Sequence, residues 1–248
     1  MNGELPELEA KAGILEHLTQ LRVCLIRSFM ALLASLVVTL YFSKQIYSLL
    51  ERPMLKALPS GSSFIVTGPV EAITSYLKVS LIAGIFLASP FVFYQIWKFV
   101  APGLYNRERK GAIGFVLTAS LLFIGGASFG YFVVFPAGFP FFVSILEGTG
   151  IQYFPRMESY LDFTVKLLLG FGLAFLFPLF LFVLAKIGLV TPQQLSKARR
   201  YVVVLVFLLA GLLTPGPDIL SQCLLAIPLL ALYEIALLVI RFLWVKHP

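Results

Sequence analysis

The residues suited to chemistry are the ionisable ones, because charged side chains make up only 12% of the chain. Arg107, Glu108, Arg109 and Lys110 follow one another directly, just after Pro102 and Gly103. One carboxylate thus sits among three cations. Two readings fit Glu108: a solvated acid paired with Arg107 or Lys110, or a carboxylate that accepts a bidentate hydrogen bond from an incoming guanidinium. Its basic neighbours compete for it and also keep it ionised.

Other ionisable groups fall inside apolar runs, where a charge is costly and is usually paired or functional. Asp162 and Lys166 have the one-turn spacing of a helical ion pair and are expected to neutralise each other. Glu234 lies nearly two turns from Arg241, a loose pairing, and is read as a contact for a partner. Lys78 is expected to snorkel to a nearby interface.

Enzyme chemistry finds no support. Gly-x-Ser-x-Gly, His-Glu-x-x-His and glycine-rich phosphate loops are all missing, and His17 and His247 stand near the ends. No metal-ligand spacing and no cofactor motif occurs. Cys24 and Cys223 are expected near opposite membrane faces, which argues against a disulfide.

The elements that must position these charges are long apolar runs. The chain is 59% hydrophobic, whereas soluble domains carry about 25% charged residues. The expected fold is an all-α membrane protein of six spans in a single domain over residues 1–248. The spans cover about 25–42, 72–100, 112–135, 161–187, 201–213 and 219–244. Residues 1–24 read as an amphipathic surface helix that turns into the first span, since Ile14, Leu15, Leu18, Leu21 and Leu25 recur at helical spacing.

The loops 43–72 and 136–161 are long and are expected to form an outer cap. Residues 191–200 read as a basic turn. The fifth apolar run rises only about 20 Å against a hydrocarbon core of about 30 Å, so the last hairpin is short. The whole is expected to be a rigid scaffold with a concave polar side.

Basic residues set the orientation. Of nineteen, Lys78 and Lys166 lie in spans. With both termini inside, only Lys44, Arg52, Lys56 and Arg156 fall outside, and the other thirteen are cytoplasmic. The net charge of +7 is explained this way, without nucleic acid.

Motifs spread along the chain resemble one family. They are His17-Leu18 with Leu21-Arg22, the segment 99–110, Ser89-Pro90 with Tyr94-Gln95 and Trp97, and Tyr131-Phe132 with Phe135-Pro136. Phe171-Gly172 with Phe175 and Pro178 follows, then Thr214-Pro215, Pro217-Asp218, Ser221-Gln222, Leu225-Ala226-Ile227-Pro228 and Tyr233-Glu234-Ile235. Their order is that of the TatC family, the multi-spanning receptor subunit of twin-arginine protein translocation.

The resemblance implies binding of twin-arginine signal peptides on folded cargo in the bacterial cytoplasmic (inner) membrane. It also implies single-span TatA/TatB-type partners, self-association in a receptor complex, and drive by the proton-motive force. By position, the implied signal-binding residues are Gln20, Arg22, Pro102, Leu104, Tyr105 and Glu108. Gln222, Glu234 and Asp218 on the last hairpin become the expected docking surface for a partner helix.

Two positions depart from the family pattern. Gln20 stands where the family usually has Glu, and Glu16, one turn earlier on the same face, is placed to supply the lost charge. Leu176 stands where the family usually has a membrane Glu. The rival reading is a small secondary transporter using Asp162, Lys166 and Glu234 as an ion pathway, although internal repeats and paired broken helices are lacking.

Overall fold

The computed structural model describes residues 4–59, 61–100, 112–145, 153–213 and 219–245, with side chains of the first helix described from Leu18 onward. Among these residues the fold is all-α. The helices are α1 (Glu4–Tyr41), α2 (Ser43–Ala57), α3 (Pro69–Val100), α4 (Ala112–Phe129), α5 (Phe135–Ser144), α6 (Met157–Lys186), α7 (Pro192–Leu213) and α8 (Ile219–Val245). Five helical stretches are long and apolar enough to cross a membrane: Leu18–Tyr41, Pro69–Phe99, Ile113–Ser144, Met157–Lys186 and Leu225–Phe242.

α1 corrects one expectation. No turn separates a surface segment from the first span; the helix is continuous over 38 residues. The physical reason is in the sequence, where no proline follows Pro6 until Pro53. Gly13 alone costs only about 1 kcal/mol and does not break a helix.

α1 lies antiparallel to α3 along a hydroxyl seam. Ser35 donates to the Gly84 carbonyl at 2.9 Å, and Thr39 donates to the Ser80 carbonyl at 2.7 Å. A Cβ at Gly84 would stand 3.3 Å from the Ser35 hydroxyl, so the small residue sets the approach. Further along α3, Pro90 lacks the amide that would reach Phe86. Ser89 donates its hydroxyl to that carbonyl instead, at 2.8 Å, and the helix continues.

The third apolar run does not stop near residue 135 as expected. A π-helical turn, Gly130–Val134, joins α4 to α5. The Phe135 amide reaches back to Gly130, and Pro136 enters the first turn of α5, where a missing N–H is tolerated. α4 packs on α6 backbone to backbone. A Cβ at Gly126 would come 2.4 Å from the Phe171 carbonyl oxygen, and one at Gly172 would come 2.8 Å from the Phe123 ring. Gly126 and Gly130 therefore admit the neighbouring helix, whereas Gly125 faces open space.

α2 is an amphipathic helix within the first long loop. Tyr47, Leu50 and Met54 are buried at helical spacing, and Leu49 and Leu55 are exposed. Pro53 lies inside it and leaves the Leu49 carbonyl without an amide. The Tyr131 hydroxyl donates to that carbonyl at 2.6 Å, and Tyr160 donates to Leu50 at 2.6 Å. The two long loops meet at Ile65 and Arg156. The Ile65 amide donates to Pro155, and the Met157 amide donates to Ile65.

α6 ends through Gly188, whose φ of +78° suits glycine at the close of a helix. What followed was expected to be a basic turn and is the start of α7. Thr191 and Gln194 form a capping box: the Thr191 amide donates to the Gln194 side chain at 2.9 Å, and the Gln194 amide donates to the Thr191 hydroxyl. Pro192 at the first helical position completes the signal.

Candidate functional site

Three groups of candidate residues can be located from the helices that carry them. The first lies where α1 passes the end of α3. The contacts of Ser35 with Gly84 and Thr39 with Ser80 share one antiparallel register. Carried on along both helices, that register brings Gln20 level with Phe99. Gln20 and Arg22 are both exposed. Glu16 lies one turn further along α1, beyond the side chains the structure describes. Pro102, Leu104, Tyr105 and Glu108 lie outside the described residues.

The second group lies on the hairpin of α7 and α8. Gln222 is half-buried, and a Cβ at Gly211 would stand 2.8 Å from its amide nitrogen. The glycine leaves room for the amide to lie against α7. Glu234 does not pair with Arg241. It accepts a hydrogen bond from Arg199 at 2.8 Å, while Arg241 donates to Ser196 at 2.6 Å. Tyr233 donates to the Leu195 carbonyl beside them. Two long cations on α7 and α8 can reach across the hairpin, which spacing along one helix cannot reveal. Asp218 lies outside the described residues.

The third group is the set of charges within the apolar helices. Lys78 does not snorkel free, and Asp162 does not neutralise Lys166. Lys78 on α3 meets Asp162 at 2.7 Å and Glu158 at 3.1 Å, both on α6. Cross-helix packing puts the ammonium nearer to both acids than the helical neighbour is. Lys166 is exposed and has no ion pair among the described residues.

Next to this group is a site that sequence reasoning missed. The Glu71 side chain is only 5% exposed. Its carboxylate accepts from the Thr67 amide at 2.7 Å, the Thr67 hydroxyl at 2.6 Å and the Glu158 amide at 3.2 Å. Arg156 stands 3.5 Å away. The carboxylate therefore joins the first long loop to the N-terminus of α6, whose amides favour a negative partner. A Thr four residues before an acid at the head of an apolar run was the available signal.

One concavity among the described residues is apolar. This concavity of about 580 Å³ opens between α1, α2, α3, α4 and α6 and is lined by Val38, Phe42, Leu50, Val79, Ile124 and Leu168 among others. Thr39 also lines it, but its hydroxyl is already engaged by Ser80. Asp162 and Glu234 engage different partners on different helix pairs, so an ion pathway through them is not assembled among the described residues. No cluster able to hold a metal occurs among the described residues.

Comparisons with known proteins agree with the helix arrangement. Residues 16–228 match the family model for TatC, Sec-independent protein translocase protein. The chain is 43% identical to the TatC protein of Desulforapulum autotrophicum, covering 93% of this chain and 84% of that one. It is 37% identical to the protein of Escherichia coli K12, covering 95% and 90%. A crystal structure of the twin-arginine translocase receptor TatC superposes with a TM-score of 0.81 at 37% identity, over 91% of this chain and 98% of the other. These relatives are named as protein translocase proteins, which are transport proteins and not enzymes.

Proposed function

The chain belongs to the TatC family of Sec-independent protein translocases, and on that premise we propose that it is the receptor that reads twin-arginine signals on folded cargo. It is a multi-pass membrane protein and a translocase component. In the proposed arrangement it has six spans in the bacterial inner membrane, with both termini cytoplasmic. The excess of basic residues in the inner loops supports that orientation.

The observation that carries the receptor reading is the α1–α3 register. It supports one shared recognition surface, because it sets Gln20 and Arg22 beside the end of α3 that leads into residues 101–111. Glu108 accepts the bidentate hydrogen bonds of a signal guanidinium, with Glu16 supplying the charge that Gln20 lacks. Pro102, Leu104 and Tyr105 shape the loop around it. The apolar part of the signal then lies against the spans.

The short hairpin recruits single-span TatA/TatB-type partners near Gln222 and Asp218, and transport is driven by the proton-motive force. Glu234 contributes by holding α8 to α7 through Arg199. Only residues 201–213 of α7 are continuously apolar, about 20 Å of rise, which supports local thinning of the bilayer.

The test is a photo-crosslinker at Tyr105 in membranes, presented with an Arg-Arg signal peptide and its Lys-Lys variant. Lysine keeps the charge but loses the planar fork. Labelling that fades with Lys-Lys and with Glu108→Gln is the expected result. Equal labelling of both peptides overturns the receptor reading.

A further inference from the structure

We propose that the outward face of α7 binds one anionic phospholipid, its phosphate held by Lys197 and Arg200 and an acyl chain laid along Val204 and Leu208. The proposal goes beyond the receptor reading and does not depend on it. It needs only that α7 enters the bilayer after Arg200, where its apolar run begins.

Packing divides the cations of the Lys-Ala-Arg-Arg run at 197–200. Leu195, Val206 and Ala210 are buried and mark the inward side of α7. Arg199 lies on that side and is held by Glu234 at 2.8 Å. Lys197 and Arg200 lie on the other side, one turn apart, and both are exposed. Neither has an ion pair among the described residues. α7 contains no Asp or Glu, so the helix itself offers them no counter-charge. The Arg200 guanidinium lies over the Tyr201 ring, 5.1 Å from its centroid. A tyrosine suits the headgroup level, and it keeps the cation at the edge of the apolar run.

Below these charges the same face is hydrocarbon. Lys197, Tyr201, Val204 and Leu208 follow at spacings of four, three and four residues, one column on the helix. Val204 is 66% exposed and Leu208 is 64% exposed. At 1.5 Å per residue they stand about 6 and 12 Å beyond Arg200. Both fall within one leaflet, about half of the 30 Å core. Paired cations at headgroup depth with an apolar column beneath them match the two halves of an anionic lipid.

Other occupants satisfy only part of the face. A zwitterionic headgroup brings its own cation and leaves the pair uncompensated. Free phosphate answers the cations but makes no use of Val204 and Leu208. A partner helix finds no small residue on the column between Lys197 and Leu208 to admit its backbone. A lipid held here also fixes the depth of the short hairpin. With the cation end of α7 kept at the headgroups, the shortfall of about 10 Å against the hydrocarbon core falls at the other end, beyond Leu213.

The experiment places the full-length chain in phosphatidylcholine vesicles with a trace of phosphatidylglycerol, or of phosphatidylcholine, carrying a diazirine in one acyl chain. After irradiation, adducts within residues 201–209 are counted by fragmentation mass spectrometry. Phosphatidylglycerol is expected to label about twentyfold more than phosphatidylcholine, from about fivefold for each cation. Lys197→Gln and Arg200→Gln are each expected to lower that ratio about fivefold, and the double variant to bring it to about one. Lys197→Arg is expected to preserve it, as is Lys98→Gln, which removes an exposed cation at the end of α3. Equal labelling by the two lipids in the parent overturns the proposal. So does an equal fall in Lys98→Gln, which makes the attraction diffuse. Loss of the phosphatidylglycerol adducts to inorganic phosphate at constant ionic strength overturns the lipid assignment. Absence of lipid adducts over 201–209, while exposed parts of other helices are labelled, means that protein covers the face and overturns it too.

Discussion

The Tyr131 hydroxyl donates to the Leu49 carbonyl, the acceptor that Pro53 leaves without its helical amide. A proline in a surface helix and a tyrosine within the π-helical turn, far apart in sequence, complete one another. Removing the hydroxyl with Tyr131→Phe is expected to cost about 1 kcal/mol, the net worth of one such hydrogen bond. Pro53→Ala restores an amide, so the double variant is expected to recover most of that loss. Thermal unfolding of the four proteins in detergent gives the cycle.

Lys78, Asp162 and Glu158 join α3 to α6. The Lys78 and Asp162 side chains are 36% and 45% exposed, so their coupling is expected to be modest, about 1 kcal/mol. Lys78→Met and Asp162→Asn are each expected to destabilise the protein. Their double variant should lose less than the sum of the two, as read by the same unfolding assay.

Glu71 holds the first long loop to the head of α6. Glu71→Gln keeps one acceptor but loses the charge that Thr67, the Glu158 amide and Arg156 share. Limited proteolysis should then cut within residues 58–68 faster than in the parent, while cleavage elsewhere stays unchanged.

Gly126→Ala puts a methyl where only 2.4 Å is available to the Phe171 carbonyl. The expected cost is about 1–3 kcal/mol, because two backbones must separate. Gly125→Ala, one residue away and facing open space, is expected to be neutral or slightly stabilising through helix propensity.

Glu51, on α2 outside the spans, has its carboxyl held above the ordinary range by burial, partly offset by a hydrogen bond from Tyr47. A raised folded value means that the stability contribution is present below the ordinary carboxylate range of about 4 to 4.5 and is lost as pH rises through the folded value. Glu51→Gln is therefore expected to raise the Tm more at pH 7 than at pH 4.

Hydropathy made the long helices legible, and proline, glycine and small-residue positions made their contacts partly so. Gly126 and Gly130 show this, since small residues within an apolar run mark where another helix can come close. Ion-pair partners were not legible. Asp162 has Lys166 one turn away in sequence, yet the packing of α3 on α6 gives it to Lys78. Helix ends were misread where a local device outweighed composition. Thr191 and Gln194 start α7 within a run that looks like a basic turn, and the π-helical turn at Gly130–Val134 carries the helix past Pro136.

The unbroken α1 also has a mechanical consequence. It is held to α3 at Ser35 and Thr39, and the register carried on from them keeps it beside α3 as far as Gln20, from which the helix back to Glu4 rises about 24 Å as a stiff rod. A tilt of about 10° there would sweep the far end through about 4 Å, at the helical rise of 1.5 Å per residue. Small movements between α1 and α3 are thereby magnified at the chain's beginning, and a load applied at the tip is returned to the seam as torque.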